Sequence, residues 1–265
     1  MDRKLALVTG ASAGIGAAFA RIYASHGYDV ALTARREDRL ERLAEEIRLR
    51  HGVETLVLPA DLARPEAPGD ILDGLAAHGR AADALVNNAG YGPEGFAETA
   101  WEDQLAALQV MLISVCELTH KLLPRMVEQR FGRIVNVASL AGLLPGASGD
   151  TLYAAIKAFL IRFSQSLHLE HQANGVHVSA LCPGLTYSEF HDVNGARERV
   201  SAATPVWLWQ GADEVAAVGY EAVEAGRAVA VPGAPNKAIA AAVKLIPEEW
   251  TLSLVASQGD RFRKP

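Results

Sequence analysis

Hydrophobic residues along the chain fall into two patterns that alternate. Short apolar runs such as 5–8, 29–33 and 133–137 end in glycine or polar residues, which is typical of strands buried on both faces. Between them lie longer segments with apolar residues at helical spacing, for example 37–50, whose other face is charged. Because strand and helix alternate without a break, the pattern predicts a parallel sheet with helices on both faces.

The predicted elements form one unit. The strands are expected at 5–8, 29–33, 54–58, 84–87, 133–137, 176–182 and 228–231. The helices are expected at 15–26, 37–50, 65–78, 101–129, 153–173, 214–224, 236–246 and 249–257. Pro124 should kink or end the helix that contains it, because proline has no N–H to donate. We predict a single α/β domain over 1–265 with a doubly wound, seven-stranded sheet, a substrate loop at 185–210 and a helical extension at 236–265.

Composition and charge exclude several classes. The 265 residues are 50% hydrophobic and 21% charged, which is typical of a globular chain with a sizeable core. The net charge is −6 and no basic stripe occurs, so nucleic acid is not an expected partner. With only two cysteines, no apolar run long enough to span a bilayer and no signal-peptide pattern, we expect a cytoplasmic protein without a membrane span.

The segment TGASAGIG, between the first strand and the first helix, has the features of a dinucleotide site. Gly10 permits a tight turn, Gly14 lets the backbone approach a pyrophosphate, and Gly16 allows close packing of helix on strand. Ser12 and Ile15 share this turn. The spacing is one residue longer than the common fingerprint, and an ordinary turn of small residues is the plain alternative.

The end of the second strand indicates which cofactor is used. An NAD site usually carries an acidic residue here for the ribose hydroxyls, but Ala34 stands at this position and Arg35 follows it. An arginine can hold a 2′-phosphate through paired hydrogen bonds. We therefore expect NADP(H) rather than NAD(H), although Arg35 and Arg36 also fit the start of a charged helix.

Tyr153 and Lys157 form a candidate acid–base pair. They lie four residues apart at the start of a helix, so both side chains share one face. A phenol with a pKa near 10 is a poor catalyst at neutral pH, but a nearby ammonium group favours the phenolate. The pair is therefore suited to exchange a proton with an alcohol or a carbonyl. An aromatic residue beside a solvated lysine is the alternative.

Further motifs follow the predicted strands. They are Asn87-Asn88-Ala89-Gly90 after strand four, Ser139 after strand five, Tyr153 and Lys157 in the next helix, and Pro183-Gly184 after strand six. In this order they resemble the short-chain dehydrogenase/reductase family, in particular its NADP-preferring members, over roughly residues 4–232. The resemblance implies a single-domain Rossmann fold that transfers hydride between NAD(P) and a carbonyl or alcohol.

The resemblance also implies a role for individual residues. Tyr153 is the acid–base, Lys157 lowers its pKa and binds the nicotinamide ribose, and Ser139 holds the substrate oxygen. The implied cofactor-binding residues are Gly10, Ser12, Gly14, Ile15, Gly16, Arg35, Asp61, Leu62, Asn88, Gly90, Tyr153, Lys157, Pro183, Gly184 and Ser188. Family members often pair through the helices that correspond to 101–129 and 153–173, which implies a homodimer or homotetramer.

One position departs from the family. Many members have an asparagine that shapes a water-linked proton relay to the lysine, and alignment on Leu123-Pro124 places Met111 there. A thioether cannot donate a hydrogen bond. The Met111 carbonyl in a kinked helix, or the Ser114 hydroxyl one turn on, are possible substitutes. We expect activity to persist at a reduced rate.

Two other groups of residues were considered as functional sites. Val206-Trp207-Leu208-Trp209 is either a lid over an apolar substrate, a subunit contact or a local core. His168 and His171 lie three residues apart without a partner ligand nearby in the sequence, so we expect no metal site.

The sequence therefore predicts an NADP(H)-dependent oxidoreductase that interconverts a carbonyl and a secondary alcohol, with a small-molecule substrate expected to be apolar. Imine or enone reduction and epimerisation on the same scaffold are alternatives. A nucleotide-binding regulator with little turnover is a further alternative, which Met111 keeps open.

Overall fold

The computed structural model describes residues 3–92, 95–146, 151–189, 205–247 and 249–253. The strands are β1 (Leu5–Thr9), β2 (Asp29–Thr33), β3 (Thr55–Val57), β4 (Ala84–Asn87), β5 (Gly132–Val137), β6 (Val176–Leu181), β7 (Thr186–Tyr187), β8 (Gln210–Gly211) and β9 (Val229–Ala230). The α-helices are α1 (Gly14–Ser25), α2 (Glu37–His51), α3 (Ala67–Ala77), α4 (Trp101–Leu108), α5 (Ser114–Glu128), α6 (Thr151–His171), α7 (Ala212–Glu224) and α8 (Ala234–Val243). The helix predicted at 249–257 is helical over 249–253, and the rest of that range lies outside the described residues.

Seven strands form one parallel sheet in the order β3-β2-β1-β4-β5-β6-β9. Val8 in β1 pairs with Leu32 on one side and with Val86 on the other. The strand order reverses between β1 and β4, and open α/β sheets bind ligands at such a point, outside the carboxyl ends of the strands. The predicted Rossmann fold, with a doubly wound, seven-stranded parallel sheet, is confirmed.

The core is divided between the two faces of the sheet. Ala6 and Val8 contribute to the core under α1, α2 and α7, whereas Leu5 and Leu7 contribute to the core under α3, α5 and α6. Side chains alternate between faces along a strand, so a strand covered on both sides needs an unbroken apolar run. This is why the sequence showed continuous apolar strands rather than alternating ones.

The helical stretch Trp101–Glu128 is interrupted earlier than predicted. A π turn occupies Gln109–Ile113, where the Ser114 N–H donates to the Gln109 carbonyl five residues back. Pro124 lies inside α5, so of the two predicted outcomes, a kink or an end of the helix, the end does not occur. Leu122 and Met126 are buried on either side of Pro124, and their packing offsets the hydrogen bond that the proline cannot make.

Among the described residues, the same stretch is the one helix that is long and apolar enough to cross a membrane. Its length of 28 residues and mean hydropathy of 1.4 over its most apolar window would suffice to cross a bilayer. Core helices pass the same test, and 44% of that window is buried inside the protein. Its inner face packs on the sheet, so the observation is weak evidence for a span.

Part of the predicted substrate loop is structured. Thr186 and Tyr187 pair in parallel with Gln210 and Gly211, which closes the base of the loop. Val206 and Trp207 are exposed in a short 3-10 helix. Residues 190–204 lie outside the described residues, so the choice among lid, subunit contact and local core stays open.

Candidate active site

The backbone of the glycine turn adopts a conformation and a packing that residues with side chains could not adopt. Gly10 and Gly14 have φ angles of +66° and +54°, in the left-handed region that glycine adopts without strain. A Cβ at Gly10 would lie 2.8 Å from Asn88 Nδ2, and a Cβ at Gly16 would lie 2.3 Å from the Gly10 carbonyl oxygen. The first helix begins at Gly14 without a side-chain cap, which leaves N–H groups for an anion. The turn therefore fits the pyrophosphate of a dinucleotide.

The glycine turn is fastened to the turn that follows β4. Thr9 Oγ1 accepts hydrogen bonds from the N–H groups of Asn88 (2.9 Å) and Ala89 (3.1 Å) and donates to the Val86 carbonyl at 3.2 Å. The Asn88 amide donates in return to the carbonyls of Thr9 (3.0 Å) and Gly10 (3.2 Å). These bonds hold two predicted cofactor-binding turns in one arrangement at the switch point of the sheet.

The arginines after β2 differ in their contacts. Arg35 is exposed and makes no hydrogen bond or ion pair with the residues that the structure describes. Its charge acts on Tyr91, whose pKa is raised mainly by burial and is lowered in part by Arg35. Arg36, in contrast, donates from Nη2 to Ser12 Oγ at 2.8 Å and from Nη1 to Glu189 at 2.6 Å. Arg35 is thus available to a ligand without breaking a contact, whereas Arg36 is already paired.

The predicted adenine border after β3 is only partly open. Asp61 Oδ1 accepts a hydrogen bond from the Ala63 N–H at 3.1 Å, which fixes the local turn. The Leu62 side chain is buried in the core, and its carbonyl accepts from Ser114 Oγ at 3.2 Å. Because Ser114 is bonded there, the structure does not support it as a relay hydroxyl for Lys157.

Ser139 follows β5, and the turn that it begins packs on α6, which carries Tyr153 and Lys157. Ser139 Oγ caps the 3-10 helix Leu140–Leu143 by accepting from the Ala141 N–H at 3.1 Å. A Cβ at Gly142 would lie 2.5 Å from the Lys157 carbonyl carbon, so this turn packs directly on the backbone of α6. Lys157 Nζ lies 5.5 Å from the centroid of the Tyr153 ring.

Lys157 is a buried amine with a perturbed pKa. Lys157 is only 4% exposed, and its Nζ donates a hydrogen bond to the Val137 carbonyl at 2.7 Å. Burial lowers the pKa of Lys157 to about 8, and the nearby Cys182 acts weakly in the opposite direction. Burial also raises the pKa of the Cys182 thiol to about 12. At pH 7 the lysine therefore remains a cation beside a neutral thiol.

Met111 occupies the position that the alignment assigned to it. It is buried in the π turn, and a Cβ at Gly90 would lie 3.1 Å from its Sδ and 3.8 Å from Lys157 Nζ. The Met111 thioether and the Lys157 amine thus both lie close to Gly90. Since sulfur accepts hydrogen bonds only weakly, the side chain adds little to any relay through Lys157.

The turn after β6 joins both halves of the site. The Pro183 carbonyl accepts from the Leu140 N–H at 2.8 Å, next to Ser139. Farther along the chain, Ser188 packs against Gly14: a Cβ added at Gly14 would lie 2.8 Å from the Ser188 Cβ. The predicted nicotinamide-side residues therefore reach from the catalytic turn to the glycine turn.

Known proteins agree with this geometry. The family model described as short chain dehydrogenase matches residues 4–199. The chain belongs to the short-chain dehydrogenase family. Among curated proteins, it is 39% identical to the very-long-chain 3-oxoacyl-CoA reductase of Anas platyrhynchos over 67% of this chain and 58% of the relative. The chain thus spans little more than half of that relative's length.

Two solved structures show the likeness in three dimensions. A short-chain dehydrogenase from Sphingobium yanoikuyae in complex with NADPH has a TM-score of 0.79 and 31% identity, covering 87% of this chain and 88% of that chain. A 3-oxoacyl-[acyl-carrier protein] reductase with bound NAD from Brucella melitensis has a TM-score of 0.74 and 26% identity, covering 86% and 88%. These two relatives hold NADPH and NAD, respectively, on the fold that this short-chain dehydrogenase shares.

Several residues that support the short-chain dehydrogenase site were missed by the sequence analysis. Asn87 Nδ2 donates to Asn136 Oδ1 at 2.8 Å, and Asn136 Nδ2 donates to Ser164 Oγ at 2.9 Å, which links β4, β5 and α6. Asn236 is buried against Gly184 and donates to the Pro232 carbonyl at 3.0 Å. Polar residues inside otherwise apolar strands were the available signal for the first pair, because buried amides need partners. Asn236 had no such signal.

Proposed function

We propose that this short-chain dehydrogenase transfers hydride between NADP(H) and a carbonyl or secondary alcohol, with Tyr153 as the acid–base. The observation that carries the proposal is the buried Lys157 amine beside the Tyr153 ring, on a helix packed against the Ser139 turn. All three lie beyond the carboxyl ends of strands, where ligands bind in open α/β sheets.

Each of the three side chains has a chemical task in carbonyl reduction. The nicotinamide, when bound, supplies the hydride. Tyr153 donates a proton to the carbonyl oxygen, while Ser139 Oγ hydrogen-bonds that oxygen and stabilises its developing charge. The Lys157 cation favours the phenolate that remains on Tyr153. The same residues act in the reverse order when an alcohol is oxidised.

Met111 favours a second candidate, a nucleotide-binding regulator with slow turnover. The Lys157 amine donates to a carbonyl at Val137, and a carbonyl cannot pass a proton on. Reprotonation of the phenolate through the lysine is therefore expected to be slower than in relatives with an amide at position 111. Imine reduction, enone reduction and epimerisation remain alternatives that product analysis separates.

The substrate is proposed to be an apolar carbonyl compound. Val206 and Trp207 are exposed at the base of the substrate loop, and Trp209 stacks on Tyr187 with ring centroids 5.0 Å apart. Apolar and aromatic groups beside a few polar ones are typical of sites for apolar ligands. Screening ketones of increasing chain length tests this proposal, and a preference for short, charged carbonyls would contradict it.

The preference for NADP(H) is supported by Arg35. Its guanidinium is exposed beside the predicted adenosine site, and no acidic residue occupies the end of β2. The solved relatives bind NADPH in one case and NAD in the other. The proposal therefore rests on this side chain.

Arg35→Ala is expected to weaken NADPH binding about 10- to 100-fold, because hydrogen bonds to charged groups contribute about 1.5–3 kcal/mol. NADH, which lacks the 2′-phosphate, should change by less than about twofold. Calorimetric titration with each cofactor measures both values. Arg42→Ala is the matched control, since Arg42 lies on α2 but is paired with Asp38. Equal losses for NADPH and NADH would contradict the phosphate assignment.

We also propose that two copies pair through the outer faces of α5 and α6, as dimers or as dimers of dimers. Phe159 and Phe163 stack there with centroids 5.5 Å apart, and Ile113 and Phe159 are exposed. An apolar groove of about 500 Å³ lies between the helices. Burying this surface would stabilise a pair. Light scattering should give two or four times 28.2 kDa, and a single-chain mass would contradict the pairing.

A further inference from the structure

A carboxylate joins the loop after β6 to the start of α2. Glu189 accepts a hydrogen bond from Arg36 Nη1 at 2.6 Å, and its other oxygen accepts from Arg39 Nη1. Arg36 also donates to Ser12 Oγ in the glycine turn. Glu189 is thus bound to two guanidinium groups that follow Arg35 closely in the chain.

The segment that carries Glu189 spans the predicted cofactor cleft. This segment, residues 184–189, is called the arm. It starts beside Pro183 and includes β7, and its Ser188 Cβ lies against Gly14. The arm therefore runs from the catalytic turn across the glycine turn, and Glu189 attaches its end to α2.

The charges at this point define a site for an anion. Arg36 and Arg39 bring two positive charges to the start of α2, directly after Arg35. Hydrogen bonds from Arg36 and then Arg39 hold the pKa of Glu189 below its usual range, so its carboxylate stays ionised at neutral pH. The side chains of Arg36 and Glu189 are 42% and 39% exposed. Ion pairs exposed to this degree are weak and exchange readily for another anion.

We propose that Glu189 is a specificity-determining residue for the cofactor. Its carboxylate competes with the 2′-phosphate for Arg36 and Arg39, so a 2′-phosphorylated nucleotide releases the arm from α2 and an unphosphorylated one does not. This inference rests on the proposed use of NADP(H). Glu189 therefore makes the preference for NADP(H) over NAD(H) smaller than it would be with Arg36 and Arg39 free.

Glu189→Gln tests the competition through binding rather than activity. Calorimetric titration with 2′,5′-ADP and with 5′-AMP compares two nucleotides that differ only in the 2′-phosphate. The variant is expected to bind 2′,5′-ADP about fivefold more tightly, since one negative charge near a phosphate is removed, and to bind 5′-AMP unchanged. Glu45→Gln is the matched control, because Glu45 pairs with Arg48 farther along α2. Thermal melts confirm that both variants fold.

Two results would overturn the inference. Unchanged affinity for both nucleotides in Glu189→Gln would show that the carboxylate does not compete. Weaker binding of both nucleotides would show that the arm clamps the adenosine instead. If the unaltered protein binds 2′,5′-ADP no more tightly than 5′-AMP, the proposed NADP(H) preference fails; the competition then survives only if Glu189→Gln acquires that preference.

Discussion

Tyr153→Phe is expected to lower kcat for carbonyl reduction by about a hundredfold to ten-thousandfold, the range that a positioned acid–base group contributes. Phenylalanine keeps the ring in contact with Lys157 but removes the hydroxyl that gives and takes the proton. The Kd for NADPH should stay within about twofold, because the glycine turn and Arg35 are unchanged. Steady-state kinetics and NADPH titration together measure both effects.

Tyr220→Phe is the matched control for this substitution. Tyr220 lies in the aromatic cluster with Tyr23 and His26, on α7, so the loss of its hydroxyl should leave kcat unaltered. Turnover that survives in Tyr153→Phe at the level of the control would contradict an acid–base role. A protein that binds NADPH but shows no turnover even before substitution would instead favour the regulator.

Lys157→Met is expected to remove most activity while raising the free energy of unfolding at pH 7. The amine is buried, and its pKa of about 8 lies below the ordinary value of 10.5. That shift corresponds to a cost of about 3 kcal/mol for burying the ammonium at neutral pH. Loss of the hydrogen bond to the Val137 carbonyl removes about 1 kcal/mol of this gain, which leaves about 2 kcal/mol.

The pH dependence gives this prediction a definite sign. Between pH 8 and 10.5 the unfolded chain still binds the proton that the folded lysine has lost, so a rise in pH favours the folded unaltered protein. Its disadvantage relative to Lys157→Met should therefore shrink as the pH rises from 7 to 10. Urea denaturation at both pH values tests this. A variant that is less stable than the unaltered protein at pH 7 would show that the lysine is a net stabilising group.

The sheet and the glycine turn were predictable because their signals are local. A strand covered on both faces must be apolar in its interior, as 5–8 and 30–32 are, and Gly10 and Gly14 adopt angles that other residues avoid. The spacing of Tyr153 and Lys157 likewise follows from one turn of helix. These features need no knowledge of distant contacts.

The features that escaped prediction depend on tertiary contacts. Pro124 was expected to kink or end its helix; it does not end α5, which packs on the sheet, and a π turn lies at Gln109–Ile113. Helix propensity is a weak guide where packing decides. Arg36 and Glu189 form a hydrogen bond although they are 153 residues apart, and the spacing of apolar residues in the sequence does not predict such a contact.

Supporting residues form an intermediate case. Thr9 ends a buried strand, and its hydroxyl needs partners that only the fold can supply, here Asn88 and Ala89. The sequence marks it as a buried polar residue without naming its contacts. Met111 shows the converse, because the sequence marked its position for attention while the π turn that holds it was not predicted.

In the proposed reaction, Tyr153 delivers a proton to a carbonyl with the support of Lys157 and Ser139, while a bound nicotinamide supplies hydride. This is tested by a single-turnover reaction of an apolar ketone with NADPH that carries deuterium at both C4 positions of the nicotinamide, followed by mass spectrometry of the product. We expect the unaltered protein to form rapidly an alcohol with one deuterium on the carbinol carbon. An unlabelled product, or NADPH that stays bound and unconsumed across the ketone series, would contradict it.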